Sequence, residues 1–415
     1  MKLFKCQVCS QTLFFENWTC ENCKTGTGYL PAARQLVSII PKDNYYTAAR
    51  GRHIKLRACA NANQRACNWL IEDDSAETFC RACRHNRVIP DLMQGLNLLH
   101  WQKMEAAKHR LFYTLISLRL PLENRIDNPT HGLTFDFLAE APGGGKILTG
   151  HDEGQITINL NEANDGLRET LRTQMGEPYR TLLGHFRHEV GHYFWDVLVR
   201  DAGRLDECRT VFGDDTQDYG EALKRHYATG APADWSNSYI SAYATAHPWE
   251  DFAETWAHYL HIVDTLETAS SFGLRIHPTT TKNKALHADI DFDPHDTVNV
   301  ETLVNAWAPL TFAVNSLNRS MGHHDLYPFI ISPPVVTKLA FIHEIVRAGA
   351  VSATRSQTRR PNFMSRMMTN SPEPNPAPPP APPGPPMPPP VPPGEPEPPP
   401  PIELPPGETP QPVRM

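Results

Sequence analysis

Residues 185–196 read HFRHEVGHYFWD. Phe186, Val190, Tyr193 and Phe194 recur at three- and four-residue intervals, which predicts a helix from about Pro178, a suitable first-turn proline, to about Arg200. Inside it His188, Glu189 and His192 spell H-E-x-x-H. Positions i and i+4 of a helix share one face about a turn apart, so both imidazoles can reach a single ion. Glu189 lies beside that position and can take a proton from a water that a zinc ion has acidified to a pKa of about 7. The motif is short enough to arise by chance in a long chain, and zinc that does chemistry commonly has three protein ligands, so a third must be found.

Working outward, residues 247–259 read HPWEDFAETWAHY and open a second predicted helix, from about Pro248 to Thr268. Glu250 and Glu254 are again i and i+4. Trp249, Phe252, Ala253, Trp256, Ala257, Tyr259 and Leu260 make this helix apolar nearly all round, and a carboxylate embedded there needs a cation or a donor. Glu250 is the expected third ligand. Glu254 is expected to accept a hydrogen bond from a ligand histidine and so fix its tautomer. Other candidates are Asp214, Asp215 or Asp218 in FGDDTQDYG, His247, and Glu254 itself. The extended motif with a third histidine fails, because Trp195 replaces its glycine and Leu198 that histidine. His185 and Asp196, one turn either side of the histidine pair, read as structural polar residues.

Eight of the nine cysteines lie within the first 83 residues. Cys6, Cys9, Cys20 and Cys23 read C-x2-C-x10-C-x2-C, with an alternating TLFFENW between that suits a hairpin strand. Cys59, Cys67, Cys80 and Cys83 read C-x7-C-x12-C-x2-C. Each set can close a tetrahedron of thiolates around a structural zinc, leaving no position for water. Disulfides are the rival reading and need an oxidising compartment. The N-terminus shows neither an apolar core segment nor a small-residue cleavage site, which points to the cytoplasm. No run of about 18 apolar residues occurs, which excludes a membrane-spanning helix.

The net charge of −7 is uneven: residues 1–110 carry 16 Lys+Arg against 9 Asp+Glu. Arg50, Arg52, Lys55, Arg57, Arg65, Arg81, Arg84 and Arg87 form a loose basic cluster. Docking onto the acidic remainder of the chain is the preferred reading over nucleic-acid binding. Residues 98–119 predict a linking helix that Pro121 ends. QITINLN (155–161) alternates as a strand, GGG (143–145) is a turn, 201–235 is polar and broken, and 270–300 irregular. Further helices are expected near Val300–Met321 and Pro334–Ala350. Cys208 reads as a lone thiol, and Lys338, His343 and Glu344 have no assignable role. Of the 40 prolines, 24 fall in residues 371–415, a density no folded core holds.

CQVC, FFENW, CENC, CNWL, CRACRHNRVIPD, LTGHDEGQITINLNEAND, MGEPYRTLLGHFRHEVGHYFWD, FGDD with DY, HPWEDFAETWAHYLHI and DLYPFIISPPVV together resemble a family of bacterial zinc-binding metallopeptidases with an N-terminal zinc ribbon. The resemblance spans about residues 4–350 and is of the gluzincin kind, which pairs H-E-x-x-H with a glutamate on a later helix. It implies His188, His192 and Glu250 as ligands and Glu189 as base. It also implies that Tyr243, with Tyr239 as fallback, donates to the oxyanion, and that the strand Gln155–Leu160 edges the cleft.

The expected fold is α+β, with a zinc-ribbon module at 1–95, a mostly helical zincin-like metallopeptidase domain at 96–351 and a disordered proline-rich tail at 352–415. The expected activity is zinc-dependent hydrolysis of peptide or protein substrates, with one catalytic and one or two structural Zn2+. The competing reading is a non-catalytic adaptor whose metal sites are structural and whose ribbon binds protein or nucleic acid.

Overall fold

The computed structural model describes residues 1–50, 54–72, 75–140, 145, 147–175 and 181–359. Arg52, Pro178, most of the GGG turn and the proline-rich stretch lie outside the described residues. The first cysteine set sits on a small hairpin, β1 (Phe4–Lys5) with β2 (Thr12–Leu13). A five-stranded antiparallel meander follows: β3 (Gly26–Leu30), β4 (Gln35–Pro41), β5 (Tyr46–Ala48), β6 (Lys55–Ala58) and β7 (Leu70–Glu72). TLFFENW supplies only the Thr12–Leu13 strand. Its Phe15 turns inward and packs edge-on against Tyr29, Trp69 and Tyr113.

A short strand β8 (Asn86–Val88) leads into helix α1 (Asn97–Ser117). Then come β9 (Thr134–Leu138), β10 (Gly150–Asp152) and β11 (Gln155–Asn159). These strands form one sheet in the order β10-β11-β9-β8. The predicted cleft-edging strand is therefore interior. β11 pairs with β9 on one side and β10 on the other, and the edge strands are β10 and β8. The β10–β11 turn has only Glu153 and Gly154, both with positive φ (43° and 84°), the geometry that matches strand twist in a two-residue hairpin.

The rest is helical: α2 (Asp165–Met175), α3 (Leu182–Trp195), α4 (Leu205–Phe212), α5 (Tyr219–Thr229) and α6 (Pro248–Ser271), then the two-residue strands β12 (Arg275–Ile276) and β13 (Ala288–Asp289), α7 (Val300–Ser320) and α8 (Pro333–Arg359). α3 is capped by Thr181, whose hydroxyl accepts from Gly184 N, and continues through a π-turn at Asp196–Arg200. Two helices, α4 and α5, occupy the stretch expected to be broken. Both are short with few buried positions, so neither carries a long apolar stripe.

α3 and α6 pack face to face at the centre. Gly191 permits the approach, since a Cβ there would stand 3.1 Å from Ala253 Cα and 3.2 Å from Trp256 Cδ1. On the far side, buried Arg187 pairs with Asp264 and His261 of α6. One apolar core runs from Phe4 and Phe15 through Trp101 and Phe112 of α1 to Phe186, Trp256 and Leu339. Several ribbon arginines are engaged by the later part of the chain: Arg84 meets Asp127 at 3.5 Å, and Arg87 pairs with Asp136. The architecture is α+β, a cysteine-rich β region followed by a largely helical one.

Candidate metal centre

The α3–α6 contact sets His188 and His192 opposite Glu250, with one donor atom of each within 4.8 Å of the others. His188 Nε2 lies 3.0 Å from Glu250 Oε2, and His192 Nε2 lies 3.7 Å from Oε1. Both histidines thus present the same nitrogen to the same carboxylate. Glu250 is buried, and among the described residues its Oε2 has no aligned hydrogen-bond donor. A buried, unsatisfied carboxylate oxygen facing two imidazole nitrogens fits a divalent cation. The three side chains form a histidine–histidine–carboxylate set that could hold a metal ion.

Around these three the neighbours are specific. His188 Nδ1 donates to Glu254 Oε1 at 2.7 Å, and Glu254 Oε2 accepts from Ser241 Oγ at 2.6 Å. This is the geometry expected of Glu254, and it orients Nε2 of His188 toward Glu250. Despite burial, the His188 contact holds the Glu254 carboxyl at about 2. Burial would likewise raise Glu250, but His192, His188 and the Tyr219 hydroxyl together hold it at about 2. For His188, burial is outweighed by its two carboxylate partners, which hold the imidazole's pKa well above its ordinary value. His192, without such a partner on Nδ1, is pushed by burial down to about 3 and stays neutral.

Glu189 follows His188 on α3. Burial, opposed by His188 and reinforced by Glu250, pushes its carboxyl up to about 7. That poises it for proton transfer near neutrality, and a dication alongside would draw it lower.

Tyr243 sits in a single turn at Tyr243–Thr245, its ring 5.9 Å from that of His188. Tyr239 instead lies under Lys338, whose ammonium is 4.1 Å from the ring centre. The other candidate ligands are used elsewhere. Asp215 pairs with Arg209 at 2.6 Å, Asp214 accepts from Thr216 N, and Asp218 caps α5. His247 caps α6 by accepting from Trp249 N at 3.1 Å, and its Nε2 donates to Gln217 O. His185 binds Glu162, and Asp196 binds Arg200 at 2.9 Å. Lys338 pairs with buried Asp251 at 2.6 Å, and Tyr259 shares a hydrogen bond with His343.

Sequence reasoning missed three contributors. Tyr219 donates to Glu250 Oε1 at 2.6 Å. Its signal was the DY of FGDDTQDYG, which entered the family resemblance but was given no role at the site. Trp249 lies with its ring centre 3.8 Å from that of His192, and His151 on β10 stacks over His192 at 6.1 Å. No spacing marks either, since they reach the site through the α6 cap and the sheet edge.

All nine cysteines are free thiols, and the first eight gather into the two expected quartets, each with sulfurs within 4.8 Å. Sulfur separations of 3.6 Å (Cys6–Cys23), 3.5 Å (Cys9–Cys20) and 3.6 Å (Cys67–Cys80) approach the edge of about 3.8 Å expected for a tetrahedron with 2.3 Å zinc–sulfur bonds. In the first set the same turn closes twice, Ser10 N to Cys6 O and Lys24 N to Cys20 O, with Ser10 and Lys24 at positive φ. The second set abuts α1. His109 Nε2 lies 3.5 Å from Cys83 Sγ, beside the fully buried Lys108–Glu105 pair at 2.7 Å.

Comparison with known proteins agrees with this architecture. Residues 97–345 match the family model described as "Putative zinc-binding metallo-peptidase", and residues 3–94 match a zinc-ribbon domain. The chain is 39% identical over 361 residues to an uncharacterized protein of Mycobacterium bovis and equally to two from strains of Mycobacterium tuberculosis. Each match covers 87% of this chain and 99% of the relative. No solved structure gives a significant match. The chain therefore belongs to the zinc-binding metallo-peptidase family, with a zinc-ribbon domain N-terminal to the matched region.

Proposed function

We propose that the chain is a zinc-dependent peptidase that hydrolyses peptide bonds at the His188, His192 and Glu250 site. The observation that carries this reading is the convergence of those three donors from two helices, with Glu189 adjacent. Zinc held there would polarise the scissile carbonyl and acidify a water. Glu189 takes the proton from that water and delivers it to the leaving amine. Glu254 keeps His188 in the tautomer whose Nε2 faces Glu250. The Tyr243 phenol, beside His188, donates to the oxygen on which charge develops. The two cysteine quartets hold structural zinc and do no chemistry, which makes three zincs per chain in all. Two sets of free thiolates suit a reducing compartment, so we place the protein in the cytoplasm. The substrate is a peptide or protein. Among the described residues no helix is long and apolar enough to cross a membrane.

The test is Glu189→Gln, which is nearly isosteric and replaces none of the proposed ligands. Zinc content should stay at three per chain while peptide turnover falls by about 10²- to 10⁴-fold. Turnover at the wild-type rate would overturn the mechanism. A wild-type chain with two zincs and no hydrolysis would favour the adaptor reading.

A further inference from the structure

Glu250 has two oxygens, and the structure treats them differently. Oε1 accepts the Tyr219 hydroxyl at 2.6 Å. Oε2, buried and without a hydrogen-bond donor, is the oxygen nearest His188 Nε2. Tyr219 is held for this contact from several directions. It opens α5, whose first turn Asp218 caps by accepting from Glu221 N at 2.9 Å. Its ring stands edge-on against His247 at 5.4 Å and against Trp249 at 5.5 Å. Trp249 in turn packs on His192. The phenol thus reaches the carboxylate from outside the α3–α6 pair.

We infer that Tyr219 is a positioning residue which occupies Glu250 Oε1 and thereby leaves Oε2 alone to ligate the metal. A carboxylate free at both oxygens can rotate and bind an ion through both, which raises the coordination number and uses the position that water needs. A hydroxyl fixed on one oxygen prevents this. It also removes the rotational freedom that the side chain would otherwise lose on binding the ion. The role is distinct from that of Tyr243, which faces His188 and not the carboxylate. The inference rests on the reading that His188, His192 and Glu250 hold a metal.

The experiment uses the full chain with zinc kept in the cysteine quartets. The more labile third metal is stripped by dialysis against a chelator and replaced by Co(II). Tyr219→Phe keeps the ring and removes only the hydroxyl. We expect the variant to bind the third metal about 10- to 100-fold more weakly in chelator competition. Its Co(II) d–d absorption should weaken and shift, as it does when a four-coordinate ion gains a ligand. Thermal melting with the quartets loaded and the third site stripped should match wild type, which separates the effect from general destabilisation. Equal affinity and an unchanged Co(II) spectrum would overturn the role of Tyr219 while leaving the metal site standing. A stripped wild-type chain that takes up no third Co(II) would sink the metal-site reading and this inference with it.

Discussion

His258 lies one turn beyond Glu254 on α6, buried, with its Nδ1 hydrogen-bonded to the Tyr327 hydroxyl at 2.7 Å. Burial, opposed by Glu254 and aided by Arg187 and His188, pushes its imidazole down to about 4. The folded chain keeps this ring neutral while the unfolded chain protonates it near the ordinary value of about 6.5. Its contribution to stability is therefore intact above about pH 6.5 and lost as pH falls toward 4, on the order of 3 kcal/mol in full. Urea unfolding of wild type and His258→Gln at pH 7.5 and pH 5 checks this. The variant should lose less stability between the two, and equal losses would refute it. At this scale the two histidines and two glutamates were legible, because i, i+4 spacing on a helix is a local rule. Tyr219 was not, because its hydroxyl reaches Glu250 only after α5 folds back across thirty residues of chain.

Among the elements, the α3–α6 crossing is set by a glycine in the middle of the histidine motif. Gly191→Leu would drive a side chain into Ala253 and Trp256, where even a Cβ is tight. Overpacking of this kind costs roughly 1–3 kcal/mol. Separating the helices also parts Glu250 from the histidines, so third-site metal affinity should fall together with stability. Denaturant midpoints and chelator competition on the same variant measure both. Retained stability and affinity would show that the helices have room to spare. The long helices α1, α3, α6, α7 and α8 could be read from the sequence because their apolar residues recur over several turns. α4 and α5 could not, since helices of 8 and 11 residues with few buried positions leave too short a pattern. β11 was visible by its alternation, but its neighbours were not, because strand order is decided by contacts distant in sequence.

Across the whole molecule the ribbon shares its core with the helices. Cys83 meets His109 of α1, and α1 packs on α3 and, through its Thr114 hydroxyl, on Asp264 of α6. Cys80→Ser should therefore lower the melting midpoint of the entire helical signal by at least about 5 °C in a single transition. A separate early transition with an unchanged helical midpoint would mean that the ribbon melts alone. The two cysteine quartets were plain in the spacing. Their attachment to α1 was carried by Glu105, Lys108 and His109, three polar residues buried on one face of the helix, whose meaning emerges only once the thiolates are placed beside them.

Glu254 has a consequence that reaches beyond orientation. One of its oxygens holds His188 and the other holds Ser241, whose hydroxyl also accepts from Ala244 N at 3.1 Å, pinning the turn that carries Tyr243. The turn that carries Tyr243 and the imidazole of His188 thus share a single carboxylate as their fulcrum. Whatever displaces the turn must do work on that fulcrum, and so must whatever reorients the ring. By thermodynamic reciprocity, a ligand that acted at one end would shift affinity at the other by the same factor that it received back.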